Sequence, residues 1–581
     1  MGINMEYIIL VGVLLLFILL IMGKGYIDSK RSEKDFIKKL YENYGAAATR
    51  EYKVGELDEH ISMYYQKHQE AQQIDNITWN DLHMDDVYYK LNYSHSAAGD
   101  EYLYYRLRTP WQDKEELDQF EKHVQYFMEH ADERVAMQLQ FAKLGRMGKY
   151  SLFEYLEYLD TLGERNNIRY FLAILLVFFG IAMMFYSAPI GVCVLLISLA
   201  RNMMFYYKEQ KEIEPYISSF HYILRLMEAA EKIGKEPIAE IEKERKELLS
   251  LCKAMEGFRR NSFIVLSGSR SGISVSSNPL EVIFDYARMI FYLDLIKFNQ
   301  MLRMVREHLP EIDKMVTMAG SLETVIVTGE YRSYLQGEYC VPKLLSGLED
   351  TECCLKIEQM YHPLLDNPVK NDIEVKRGIL LTGSNASGKS TFLRAVALNA
   401  VLAQTLHTCM ASAYEGSMFR IYSSMSLQDD LESGDSYYMV EVKSIRRILM
   451  QVKEAEQDGK RVLCFVDEVL RGTNTVERIA ASTQILTALA KEHAVCFAAT
   501  HDLELTKLLG SVYDNYHFEE EIIEDDIFFP YRIQRGPAVS RNAIALLKML
   551  GYEETLVKDA EAMAETFLQT GEWQGSVSGD Q

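Results

Sequence analysis

Three hydrophobic patterns alternate along this chain. Short unbroken apolar runs at Gly378-Ile379-Leu380-Leu381-Thr382, Val462-Leu463-Cys464-Phe465-Val466 and Ala494-Val495-Cys496-Phe497-Ala498-Ala499 are what strands buried on both faces look like. Amphipathic stretches with apolar residues three and four apart occupy 114–165 (Leu117, Phe120, Val124, Phe127, Met128), 210–260 and 280–320. They predict long helices charged on one face. The third pattern is longer and uncharged: Tyr7 to Met22, then Tyr170 to Ala200, resuming over Met203–Tyr207.

The uncharged runs predict membrane segments. Lys24, Lys30, Arg31, Lys34, Lys38 and Lys39 follow the first run, which places the N-terminus outside and the rest inside. No basic residue precedes that run and no Ala-x-Ala-like site follows it, so it reads as an anchor rather than a cleaved signal. The second run is interrupted at Ser187-Ala188-Pro189 and flanked by Arg165, Arg169, Arg201 and Lys208. That is the pattern of a helical hairpin returning to the basic side; a hairpin buried in a soluble core is the competing reading. The expected topology is a multi-pass protein of the cell membrane with 24–168 and 202–581 in the cytoplasm.

The first short apolar run leads into Gly383-Ser384-Asn385-Ala386-Ser387-Gly388-Lys389-Ser390, followed by the helical start Thr391-Phe392-Leu393-Arg394. Strand, glycine-bounded loop and helix N-terminus make a phosphate cradle, with backbone N–H groups and the helix dipole facing the anion. Lys389 is placed to reach β- and γ-phosphates, and the Ser390 hydroxyl suits Mg²⁺. The second run ends in Asp467-Glu468, one carboxylate for the Mg²⁺ shell and one to orient a water. The third run ends at Thr500-His501-Asp502, where a polar side chain can sense a γ-phosphate. A chance loop match, or an acidic pair that merely opens a solvated loop, explains each element alone but not the ordered set.

Thr382–Arg394 (TGSNASGKSTFLR), Asp467–Asn474 (DEVLRGTN) and Thr500-His501-Asp502 together resemble the MutS family of ATPases. So do Met360-Tyr361-His362-Pro363-Leu364-Leu365 with Asn371-Asp372-Ile373, Gly434-Asp435-Ser436-Tyr437-Tyr438 with Glu441, Asn515-Tyr516-His517-Phe518 and Gly536-Pro537-Ala538-Val539-Ser540. The match runs from about 355 to 565, and a weaker one over Leu91-Asn92-Tyr93-Ser94, Gly99, Leu103, Leu107, Pro110 and Asp113 resembles the start of the family's core domain. The resemblance implies an α/β P-loop ATPase domain, ABC-like with a mostly parallel sheet, plus an all-α lever/core domain, to which this sequence adds transmembrane helices. It implies ATP bound by residues 383–391 with Asn371, and Mg²⁺ held by Ser390 and Asp467. In the same way it implies water activated by Glu468 and the γ-phosphate reported by His501. It further implies a homodimer through the ATPase domain, with Ser436 reaching the partner's nucleotide and Asn474 at the subunit boundary.

Two departures stand near these positions. Leu470 replaces a common glycine after the acidic pair, and Arg541-Asn542 replaces Tyr-Gly after the late serine. The organisation expected is an anchor at 1–30, a juxtamembrane linker at 31–84 and a first core part at 85–169. A transmembrane hairpin at 170–207, lever helices at 208–345, the ATPase domain at 346–565 and a disordered tail at 566–581 follow. The resemblance also brings in DNA, duplex or branched, as a partner of the mismatch-repair type. The family's mismatch-reading domains have no counterpart before Asp85, and Phe127-Met128-Glu129 fits their wedge pattern only by coincidence within a helix. Mismatch reading is therefore not expected.

Composition narrows the partners. The chain has 581 residues and a net charge of −22, from 84 acidic and 62 basic side chains, and shows no basic stripe of the kind duplex binders carry. Its basic clusters border the apolar runs, where anionic lipid accounts for them as well as DNA does. The eight cysteines lack metal-site spacing, in keeping with a reducing compartment. Two other classes remain open: an ABC-type transporter-associated ATPase, and a membrane scaffold that binds ATP without turnover. An unidentified protein partner for the levers belongs to either picture.

Overall fold

A computed structural model describes residues 23–24, 27–70, 72–111, 113–147, 151–163, 165–260, 262–266, 286–345, 355–384, 387–425, 437–491, 493–523, 526–538, 544, 547, 551–571 and 573. The first apolar run, Tyr7–Met22, and most of the 566–581 tail lie outside them. The chain divides into two compact units: Met1–Gln69, Leu91–Tyr105 and Phe120–Tyr334 in one, Glu70–Lys90, Arg106–Gln119 and Leu335–Gln581 in the other. The stretches read as a linker (31–84) and a first core part (85–169) are thus each shared between units.

The first unit is helical. Its main helices are α1 (Ala97–Arg108, whose last residues belong to the second unit), α2 (Ala131–Leu144), α3 (Ile168–Tyr186), α4 (Ala188–Lys235) and α5 (Leu309–Tyr334). α3 and the first part of α4, Ala188–Glu214, are long and apolar enough to cross a membrane, with mean hydropathies of 2.3 and 1.7. Only Ser187 separates them, and Pro189 fits the first turn of α4, where a missing N–H leaves no hydrogen bond unmade. The pair packs backbone against backbone: a Cβ at Gly180 would stand 3.0 Å from the Leu195 nitrogen. Their outer faces carry exposed Phe171, Leu175, Leu196 and Ile197.

α4 does not end with its apolar part. It continues unbroken for 48 residues, about 72 Å at 1.5 Å per residue. The expected boundary between hairpin and lever, at 207/208, falls inside this one helix. Beyond the apolar part, α4 packs on α2 and α5, and its Phe220, Ile223, Leu226 and Ala230 are buried.

Buried acids stitch this unit together. Asp100 on α1 accepts from Arg50 at 2.5 Å, Arg146 Nε at 2.6 Å and Asn92 at 2.9 Å. Glu323 on α5 takes the His95 and Ser96 N–H groups at 2.5 and 3.1 Å, and the Ser96 hydroxyl. Gly99 is required there, because a Cβ would collide with the Glu323 carboxylate.

The second unit holds the α/β domain. Its strands are β1 (Lys343–Leu345), β2 (Leu355–Met360), β3 (Asn371–Val375), β4 (Gly378–Thr382), β5 (Ala413–Ser417), β6 (Phe419–Ser424), β7 (Arg461–Asp467), β8 (Ala494–Ala499), β9 (Tyr513–Phe518), β10 (Glu521–Ile523), β11 (Asp526–Phe528) and β12 (Ile533–Arg535). The main sheet runs β12-β9-β4-β8-β7-β6, parallel except at the β12 edge. β1-β5-β2-β3 form a second sheet, and β10 pairs with β11. The helices α6 (Lys389–Thr405), α7 (Tyr437–Asp458) and α8 (Thr475–Leu489) follow β4, β6 and β7. β4 and β8 are buried along their whole length, as their apolar runs require. A short helix at Asn76–Asp81 closes the β6 end: Asp81 accepts from the Ser423 hydroxyl at 2.6 Å and the Met425 N–H at 2.9 Å.

Candidate nucleotide site

Parallel pairing sets the site. β8 lies between β4 and β7, and Asp467 is in register with Ala499, so the loop after β4, the acidic pair and His501 gather at one edge of the sheet. That edge, at the carboxyl ends of parallel strands, is where open α/β sheets bind ligands.

The loop is shaped by its glycines. Gly383 and Gly388 take φ of +140° and +97°, and a Cβ on Gly383 would lie 2.7 Å from the Phe518 oxygen. Lys389 folds over the loop, its Nζ donating to the carbonyls of Gly383 at 2.8 Å and Ser384 at 2.7 Å. Burial pulls the ammonium below its usual range, against the opposing pull of Asp467 and Glu468. The Ser387 hydroxyl closes the turn on the Ser384 carbonyl at 2.7 Å, and Thr391 lies half-buried in the first turn of α6. Asn385 and Ala386 fall outside the described residues.

Ser390 Oγ donates to Asp467 Oδ2 at 2.5 Å, so a hydroxyl and a carboxylate oxygen stand side by side beneath the lysine. Two hard oxygens so placed fit a Mg²⁺ ion. Glu468 is held from two sides, by His501 Nε2 at 2.7 Å and Arg471 Nε at 2.6 Å. Half-burial pushes its carboxyl up, but the His501 bond and the Arg471 charge outweigh it and hold the group below the usual carboxylate range. Its backbone is left-handed at φ +58°, and so is that of Leu470 at +60°. The position where the resembling family has glycine is therefore one where glycine is the unstrained residue.

Asn371 and Asn474 make contacts within the chain. Asn371 positions a neighbour: its Nδ2 donates to the Tyr531 carbonyl at 3.0 Å and its Oδ1 accepts the Ile533 N–H at 2.9 Å. This sets the half-exposed Tyr531 ring against the loop, where a Cβ on Gly388 would stand 3.0 Å from it. Asn474 caps α8, its Oδ1 accepting the Glu477 N–H at 3.0 Å. Ser436 lies outside the described residues. Sequence reasoning gave no role to Arg471 or Tyr531. Arg471 stands three positions after Glu468 in DEVLRGTN, whereas Tyr531 reaches the loop only through tertiary pairing of β12 with β9.

Residues 379–568 match the family model for MutS domain V. A DNA mismatch repair protein MutS from Clostridium kluyveri is 28% identical over 306 residues, 50% of this chain and 34% of the relative. Proteins of the same description from Thermus thermophilus and Thermus aquaticus are each 33% identical, over 214 and 216 residues, 36% of this chain and 26% of theirs. The chain thus spans only about a quarter to a third of the length of these curated relatives.

Proposed function

We propose that this chain, which belongs to the MutS family through its C-terminal half, binds ATP at residues 383–391 and hydrolyses it as a membrane-anchored dimer. The observation that carries the reading is the convergence of Lys389, the Ser390–Asp467 pair and the His501–Glu468–Arg471 group at one sheet edge.

Each group then has a task. Lys389 exchanges two loop carbonyls for phosphate oxygens of the substrate. A Mg²⁺ ion held by Ser390 and Asp467 supplies charge neutralisation at the phosphates when bound. Glu468, kept charged, accepts a hydrogen bond from water and aims it at the γ-phosphate; His501 and Arg471 fix the carboxylate's direction. Steady-state hydrolysis of Mg-ATP by the full chain, against Glu468→Gln, is the test. The variant is expected to keep ATP binding and lose turnover. Tight binding without turnover in the unaltered protein would favour the scaffold reading instead.

Membrane anchoring is supported by α3 and the exposed apolar faces of the hairpin. The protein is expected to stay in the membrane pellet at alkaline pH, with the ATPase domain on the cytoplasmic side; release would overturn this. Dimerisation is expected to strengthen with an ATP analogue in sedimentation. For DNA we expect weak, structure-driven binding, and titration of homoduplex, mismatched and branched duplexes at several salt concentrations checks it. A strong mismatch preference would overturn that expectation.

A further inference from the structure

A leucine at a left-handed backbone position is strained, and surrounding contacts must hold it there. At Leu470 the holding group is visible. Glu441, on the first turns of α7 and 3% exposed, has Oε1 2.5 Å from the Leu470 N–H. The other carboxylate oxygen, Oε2, is buried with no hydrogen-bond partner among the described residues, so Oε1 alone carries the contact. A second contact joins the same two elements: Tyr438, one residue into α7, packs so tightly on Gly472 that a Cβ there would stand 3.1 Å from its ring. From the other side, Ser482 of α8 donates to the Val469 carbonyl at 3.2 Å.

We infer that Glu441 is a positioning residue, a clamp that holds the Val469–Arg471 turn in its left-handed form and thereby aims the Glu468 carboxylate through Arg471. The clamp lets leucine stand where glycine would need no help. It also makes α7 the element that sets the catalytic turn. Tyr437, its first residue, directly follows Ser436, so a shift at the start of α7 is delivered to Arg471 and Glu468 by one buried carboxylate and one aromatic ring. Glu441 touches no reacting atom in this scheme.

The inference rests on the ATPase reading, and its test separates the two. In the full chain, Glu441→Ala is expected to lower kcat by between about tenfold and a hundredfold with ATP affinity changed less than about twofold. Glu441→Gln, which keeps an acceptor oxygen, is expected to retain most of the rate. Adding Leu470→Gly to Glu441→Ala is expected to recover it, because glycine holds the turn unaided. A residue that only supports the fold would not be rescued that way. Hydrogen exchange at the Leu470 amide needs no turnover: it is expected to accelerate in Glu441→Ala and not in Glu441→Gln. Unchanged exchange in Glu441→Ala, an unchanged kcat, or failure of Leu470→Gly to rescue would each overturn the clamp. An unaltered protein with a protected Leu470 amide and no turnover would overturn the ATPase reading and leave the clamp standing.

Discussion

The same side chain serves opposite ends in the two units. At the nucleotide site, Glu468 is half-buried yet kept charged, because His501 and Arg471 outweigh its desolvation. In the helical unit Glu101, Glu323 and Glu330 are buried more deeply and burial wins: Glu101 is raised well above its ordinary value, and Glu323 and Glu330 are each pushed up to about 7. Glu323 takes three donors: the His95 and Ser96 N–H groups and the Ser96 hydroxyl. On the proposed reading Glu468 acts as a base, and its neighbours His501, Arg471 and Lys389 keep it charged. Glu323, tied instead to N–H and O–H groups, carries a proton part of the time.

The sharpest way to break this contrast is to replace each acid by its amide. Glu468→Gln is expected to lower turnover by about 10²–10⁴-fold in steady-state assays, with little change in melting temperature. Glu323→Gln is expected to leave turnover unchanged. Next in size is His501→Ala, which removes one of the three groups that lower the Glu468 carboxyl, beside Arg471 and Lys389. The rate is expected to fall about tenfold, and the acidic limb of the pH–rate profile to move to higher pH, because a base with a raised pKa is protonated sooner.

The helical unit should answer to pH in the reverse sense. Its Glu323 has a folded pKa of about 7 against an ordinary value of 4.5, so the folded state binds the proton more tightly. That contribution is complete below about 4.5 and is lost as pH rises through about 7. The melting temperature of the helical unit is expected to fall between pH 5 and pH 8, and Glu323→Gln to flatten that dependence in calorimetry. The smallest expected effect is that of Leu470→Gly alone. Relief of the left-handed leucine should raise stability by roughly 1 kcal/mol or less, since the glycine also frees the unfolded chain.

Much of the nucleotide site was legible in the sequence because its geometry is local. Gly383, Gly388, Lys389 and Ser390 lie in one strand–loop–helix unit, and Asp467-Glu468 ends an apolar run whose burial on both faces fixes it inside a parallel sheet. What the pattern hid is contact between distant segments. Asn371 meets Tyr531 and Ile533 only because their strands fold towards one another, and nothing in either sequence announces it. Asp81 likewise reads as an ordinary helix-end acid until Ser423 and Met425 are found on it. The length of α4 was hidden for a different reason: hydropathy changes at its midpoint although the backbone does not. Asn474 also caps α8, a contact that its motif does not announce.

The continuity of α4 restricts how this protein can change over time. Adding or deleting one residue within the helix turns everything beyond it by about 100° and shifts it by about 1.5 Å. The exposed apolar stripe near its start and the buried stripe that meets α2 and α5 would then fall out of phase. Point substitutions leave that phase intact. Variation along Ala188–Lys235 should therefore be a history of exchanged side chains, with gaps confined to multiples of about seven residues, where the two stripes nearly realign.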